Sequence, residues 1–203
     1  MTTKPRVGEQ RPGGRAARVR TAVLQATAEV LTEVGYDQVS IDEVAARAGV
    51  HKTTIYRRWP TKPELIADTA RVHSDENVPI PDAGSLRGDL QALARSVVAN
   101  IGSEGGSRRS RSIAAAAISS DELAAGMHAF WAERLTASGV LVDRAIERGE
   151  LPPNTDPNLI IETLIGPLWI RLLLTGESIT NDLADRVAEL VAAGATRDQP
   201  TRP

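Results

Sequence analysis

The chain of 203 residues has no cysteine, which excludes disulfides and thiolate metal sites and fits a reducing compartment. Aromatic residues make up only 3% of it, and alternating β-branched and aromatic runs are missing, which argues against a sheet protein. Lys4, Arg6 and Arg11 near the N-terminus are not followed by an apolar stretch, so no secretory signal is expected there. The most apolar run, Leu159–Leu174, is interrupted by Glu162, Pro167 and Arg171 and is shorter than the ~20 residues of a bilayer span. It reads as a buried helix of a soluble, cytoplasmic protein with no membrane partner. The three histidines, His51, His73 and His128, have no metal-ligand spacing, and H-E-x-x-H, Walker A and G-x-S-x-G motifs are absent. No metal, cofactor or catalytic residue is expected. An enzyme would have to draw carboxylates from separate helices.

What is present is ordinary for a globular protein: 41% hydrophobic and 25% charged residues, in a chain long enough to bury a core. Ala, Leu, Val, Arg and Glu dominate, and most of these lose little rotamer freedom in a helix. Charge is unevenly spread. Residues 1–70 hold 11 Lys/Arg against 8 Asp/Glu, and residues 71–203 hold 13 against 18. The net of +3 followed by −5 suggests a basic module joined to an acidic body.

Periodicity and capping signals predict nine helices and no strand, an all-α fold. Residues 1–14, rich in Pro and Gly, read as a disordered arm. The first helix spans about Arg15–Val34 and ends at Gly35. Ser40-Ile-Asp-Glu43 and Thr61-Lys-Pro-Glu64 are capping boxes opening helices to about Ala48 and Ser74, with a third helix, Lys52–Trp59, between them and closed by Pro60. The Pro- and Gly-rich stretch Asp75–Gly84 divides residues 15–74 from a second domain, 75–194, and 195–203 reads as a flexible tail. In that second domain the helices are expected at Ser85–Ile101, Arg108–Ile118, Asp121–Arg148, Asp156–Thr175 and Thr180–Ala193, with Gly102–Ser107 as a mobile loop.

The segment Ala45–Trp59, A-A-R-A-G-V-H-K-T-T-I-Y-R-R-W, carries the chemistry. Ala45 allows close helix approach, Gly49 permits a tight turn, and Val50 and Ile55 return to the core, as in a helix-turn-helix. An ordinary helical hairpin uses similar residues; the polar side chains favour DNA. Lys52, Thr53 and Thr54 stand where a recognition helix meets base edges. Tyr56, Arg57 and Arg58 follow one turn later, within reach of phosphates. Lys62 and Ser40, each at a helix start, can serve a phosphate as well, although capping alone accounts for Ser40. Arg15, Arg18 and Arg20 either reach the neighbouring groove or form a solvated face.

V-S-I-D-E-V-A-A-R-A-G-V-H-K-T-T-I-Y-R-R-W-P-T-K-P-E-L (Val39–Leu65) resembles the DNA-binding module of the TetR/AcrR family of bacterial regulators, at Ala45, Gly49, Val50, Tyr56, Trp59 and Lys62. E-R-G-E-L-P-P-N-T-D-P (Glu147–Pro157) and I-G-P-L-W-I-R-L-L-L-T-G-E (Ile165–Glu177) look like a C-terminal domain found in one subgroup. The resemblance implies a nine-helix homodimer that binds a near-palindromic double-stranded operator, most simply as a repressor released by a small-molecule effector. It also implies a pocket in the C-terminal domain, where Met127, Phe130, Trp131, Trp169 and Arg171 are the bulky candidates, each alternatively plain core. Dimerisation through the last two helices would use the apolar stripes Ile161, Leu164, Ile165, Leu168, Leu172 and Leu183, Val187, Leu190, Val191, unless those face their own core.

Overall fold

The computed structural model describes residues 14–196, and every regular element among them is helical. The helices are α1 (Gly14–Val34), α2 (Ile41–Ala48), α3 (Lys52–Tyr56), α4 (Lys62–Asn77), α5 (Leu86–Ile101), α6 (Glu104–Ser119), α7 (Asp121–Glu147), α8 (Pro157–Ile170) and α9 (Asn181–Ala195). The proposed N-terminal arm, apart from Gly14, and the tail beyond Thr196 lie outside the described residues.

Two apolar clusters hold the chain together. The first joins α1 through α4 around Val23, Leu31, Val44, Ile55, Trp59 and Leu65, and it also takes in Ile113 of α6 and Leu123 of α7. The second fills the space between α5, α7, α8 and α9 around Leu90, Leu93, Leu141, Leu164, Leu168 and Val187. Ser85, Ser103, Ser120, Asp156 and Thr180 each cap the helix that follows by accepting a first-turn amide N–H.

Several local expectations are corrected. Ser40 occupies the N-cap of α2, but its hydroxyl makes no capping bond. The capping box fails because Glu43 is taken by Arg47, whose Nε donates to it at 2.7 Å while the rest of that guanidinium forks onto Glu33. α3 stops at Tyr56 because Trp59 is drawn into the core, where its Nε1 donates to Asp68 at 3.0 Å. The expected mobile loop Gly102–Ser107 is mostly helix. Its glycines allow close approach: a Cβ on Gly106 would stand 2.1 Å from the Asn100 carbonyl oxygen.

The dimer stripes need the largest correction. Ile161, Leu164, Leu168, Leu172, Leu183, Val187 and Val191 are buried in the protomer's own second cluster, and Ile165 packs against it. Of the residues expected at the interface, only Leu190 is strongly exposed, at 73%. α8 is apolar on two sides, and the stripes chosen from sequence were the inward ones. Its outward face carries Leu159, Thr163, Gly166, Ile170, Leu173 and Leu174, spaced by four and three residues and so aligned along one side. After Ile170 the helix widens into a π-helical turn, Arg171–Thr175, closed by Gly176 in the left-handed region at φ 70°. On length and composition Pro157–Thr175 could cross a membrane, yet its inner face is part of this core.

Candidate nucleic-acid interface and internal cavity

α2 and α3 meet at Gly49, whose left-handed backbone (φ 65°, ψ 35°) reverses the chain and returns the Val50 N–H to the Ala45 carbonyl at 3.0 Å. A Cβ at Gly49 would meet no neighbour, so the backbone angle alone favours glycine. Ile55 is fully buried, which anchors one side of α3 in the first cluster and turns Lys52, Thr53 and Tyr56 outward; Thr54 is half-buried.

Lys52 Nζ lies 3.2 Å from Asp42 of α2, with both groups exposed. Such a pair is worth at most about 1 kcal/mol and yields readily to a stronger anion. Arg58 rests against the Trp59 ring, 5.5 Å from its centroid. Arg57, with no ion pair among the described residues, borders a depression shared with Arg15, His51, Thr54 and Arg58. The structure therefore brings the first turn of α1 beside the helix-turn-helix.

Two cations differ from expectation. Arg20 pairs with Asp68 at 2.7 Å, and with the Trp59 indole that carboxylate pins α1, α4 and the end of the recognition segment together. Lys62 does not stand free at its helix start. Its ammonium sits 4.4 Å from the Tyr36 ring centroid and donates to the Asp37 carbonyl at 3.3 Å; desolvation lowers its pKa, with Asp37 opposing.

The second feature is a cavity of about 90 Å³ lined by α1 and α4 through α8. Phe130, Trp131 and Trp169 line it, in a chain of edge-to-face contacts with centroids 5.2 and 5.3 Å apart. Met127 and Arg171 do not. Met127 is one turn nearer the N-terminus of α7 and packs on the first cluster. Arg171 is two residues from Trp169, so a helix turns it to the opposite side; there it donates to the Ser178 carbonyl at 2.7 Å and pairs with Glu177 at 3.2 Å.

The polar wall was missed from sequence. Arg109 of α6 is 9% exposed; it donates to Thr32 Oγ1 at 3.1 Å and to Asn100 Oδ1 at 2.8 Å. Its pKa is lowered by burial. Arg134 of α7 donates to the Val78 carbonyl and lies 3.9 Å from Asp75. His73 of α4 shares a 2.9 Å hydrogen bond with the same Asn100 oxygen. Arg109 and Ile113 share a face four residues apart on the helix expected from Arg108 to Ile118, so an inward Arg109 was legible, whereas its partners Asn100 and His73 on other helices were not.

Burial, reinforced by the Arg109 charge, holds the His73 pKa below its ordinary 6.5, while Asn100 and Glu76 act the other way. Between the two values the unfolded chain is the one that binds the extra proton. Stability from neutral His73 is thus present above about pH 6.5 and lost as pH falls through the lowered folded value. His73→Gln should flatten the decline in Tm between about pH 7 and 5; a slope equal to wild type would assign it to other groups.

A short helix with an exposed polar side, set by a glycine turn against a second helix on a three-helix core, defines a helix-turn-helix DNA-binding protein. Residues 23–69 match the family described as "Bacterial regulatory proteins, tetR family", and residues 80–191 match "Tetracyclin repressor-like, C-terminal domain". The chain belongs to the TetR family of transcriptional regulators, which are not enzymes. It is 35% identical over 192 residues to the HTH-type transcriptional regulator AqdR of Rhodococcus erythropolis, covering 95% of this chain and 92% of that one. It is 49% identical over 75 residues to the DNA-binding transcriptional repressor TetR of Mycobacteroides abscessus, 36% of this chain and 40% of that one. Among solved structures it resembles the TetR family regulator SCO0332, with a TM-score of 0.76 and 28% identity over 87% of this chain and 98% of that one. FadR of Bacillus subtilis, solved in complex with stearoyl-CoA, shares the fold at 18% identity and a TM-score of 0.66 over 86% of this chain and 98% of FadR.

Proposed function

We propose that this regulator is a cytoplasmic homodimeric repressor that binds a near-palindromic operator and leaves it when a small molecule enters the cavity. The observation that carries the reading is the position of α6, which walls the cavity and also grips the last turn of α1. Arg108 donates to the Thr32 and Glu33 carbonyls, Arg109 to the Thr32 hydroxyl, and the Tyr36 N–H donates to Ser112 Oγ at 3.0 Å. A molecule that shifts α6 therefore pulls on the helix that leads into the helix-turn-helix. A coupling of ~1–3 kcal/mol changes operator affinity roughly 5–150-fold. FadR's complex with stearoyl-CoA and the repressor TetR support effector binding and repression as the direction of control.

In the dimer, the outward faces of α8 and α9 meet their symmetry mates in an isologous four-helix contact, with Leu159, Ile170, Leu173, Leu174 and Leu190 at its centre. This sets two recognition helices ~34–36 Å apart, one turn of DNA. Lys52, Thr53 and Thr54 read base edges; Ser40, Tyr56, Arg57 and Arg58 hold phosphates, with Lys62 steadying the turn after α1. Footprinting upstream of the protein's own gene tests the whole, and no protected site at physiological salt would overturn it.

The division of roles has its own test. Arg57→Ala is expected to weaken specific and non-specific binding alike and to reduce the salt slope by ~0.9. Lys52→Ala should relax sequence preference by ~1–3 kcal/mol at one base pair. Identical behaviour of the two variants in salt titrations would remove the distinction.

A further inference from the structure

The cavity's charge does not balance within the protein. Its wall contains two guanidinium groups, Arg109 and Arg134, and no aspartate or glutamate. Arg134 has Asp75 near it and spends a donor on the Val78 carbonyl. Arg109, more deeply placed, forms no ion pair among the described residues, and its acceptors, Thr32 and Asn100, are all neutral. Those three bonds leave its Nε–H and one Nη1–H without a protein acceptor. A buried cation with neither counter-charge nor full hydrogen bonding is costly, and such groups are normally paired. His73 does not supply the missing charge, since a neutral or protonated imidazole carries no negative charge.

The remaining wall is apolar and aromatic. Phe130, Trp131 and Trp169 offer ring faces and edges, and Leu93, Val97 and Ile161 close the other sides. A buried guanidinium with free N–H donors in an aromatic-lined cavity suits an aromatic anion. From this we infer that the effector is a compact aromatic carboxylate, its carboxylate accepting from Arg109 and its ring seated against Trp131 and Trp169. The inference rests on the reading of this cavity as the effector site. A carboxylate accepts charge-assisted hydrogen bonds from the free Nε–H or Nη1–H, which are stronger than those a neutral amide of the same shape accepts. The anion also cancels a charge already buried, so the protein's desolvation cost is met before the ligand arrives.

The test needs no DNA, so its failure is separate from failure of the repressor reading. Benzoate, salicylate and 1-naphthoate are titrated into the full chain beside benzamide, salicylamide and 1-naphthamide, with calorimetry and tryptophan emission as readouts. At least one carboxylate is expected to bind roughly 10–100-fold more tightly than its amide. That preference should vanish in Arg109→Gln and be partly kept in Arg109→Lys. Amides equal to their acids, or no carboxylate binding up to millimolar concentration, would overturn the inference. So would a preference that survives in Arg109→Gln. If Arg109→Gln does not fold, the acid–amide comparison in the wild-type chain decides the matter alone.

Discussion

Leu174→Glu combined with Leu190→Glu is expected to give a folded monomer that no longer binds the operator. Both leucines are exposed in the protomer, at 80% and 73%, so replacing them removes nothing from its core. In a two-fold contact each substitution counts twice, and each leucine contributes ~1.5–3 kcal/mol on burial. Four lost leucines and four added carboxylates at one small interface exceed what an ordinary dimer can spare. Leu168→Arg behaves differently. Leu168 is fully buried among α5, α7 and α9, so an arginine there is an unpaired charge in the core and should unfold the protein rather than split it. Sedimentation equilibrium with far-ultraviolet circular dichroism separates the two outcomes. A persistent dimer in the double variant would move the interface off α8 and α9.

Asp89→Ala should cost about 2–3 kcal/mol of stability, even though Asp89 does not line the cavity. Its carboxylate is fully buried, accepts from the Ala83 N–H at 2.6 Å, and faces Arg148 at 3.6 Å. Arg148 also pairs with Glu150, which in turn accepts from the Leu86 N–H at 2.8 Å. Arg148 and the Leu86 N–H together hold Glu150 below the usual carboxylate range. These groups fasten the start of α5 to the end of α7, and removing Asp89 leaves the Ala83 amide without its acceptor and Arg148 without the charge it faces. Alanine there should lower Tm by roughly 5–10 °C. Asp89→Asn, which still accepts from Ala83, should lose less. Equal losses would mean that the Arg148 charge, rather than the hydrogen bond, carries the effect.

This clasp explains a motif that was visible in the sequence without a role. In Glu147–Pro157, Gly149 takes the left-handed conformation (φ 77°) that ends α7, and so sets Arg148 and Glu150 toward α5. Helix positions and the helix-turn-helix were legible because they depend on local signals: caps, a glycine at a turn, 3.6-residue spacing. The recognition segment is the clearest example, since Ala45, Gly49 and Ile55 have local reasons to be where they are. The cavity's polar wall was not legible as a unit, because Arg109, Asn100 and His73 come from three helices brought together only by packing. Which apolar stripe of α8 faces outward was not legible for a related reason. A helix apolar on two sides carries two stripes of similar strength, and α8 gives no local hint of which one its own chain covers.

Ile113 and Leu123 sit in the same apolar cluster as Val44 and Ile55, although the 78–85 connector and all of α5 separate them from the end of α4. The seam that looks natural along the chain therefore does not run through its interior. A fragment cut at that connector would carry the DNA-reading helices with one wall of their core removed, exposing the patch that α6 and α7 had covered. Exchanging reading heads among regulators of this build therefore means carrying the matching faces of α6 and α7 with the head, or redesigning them to suit the new one.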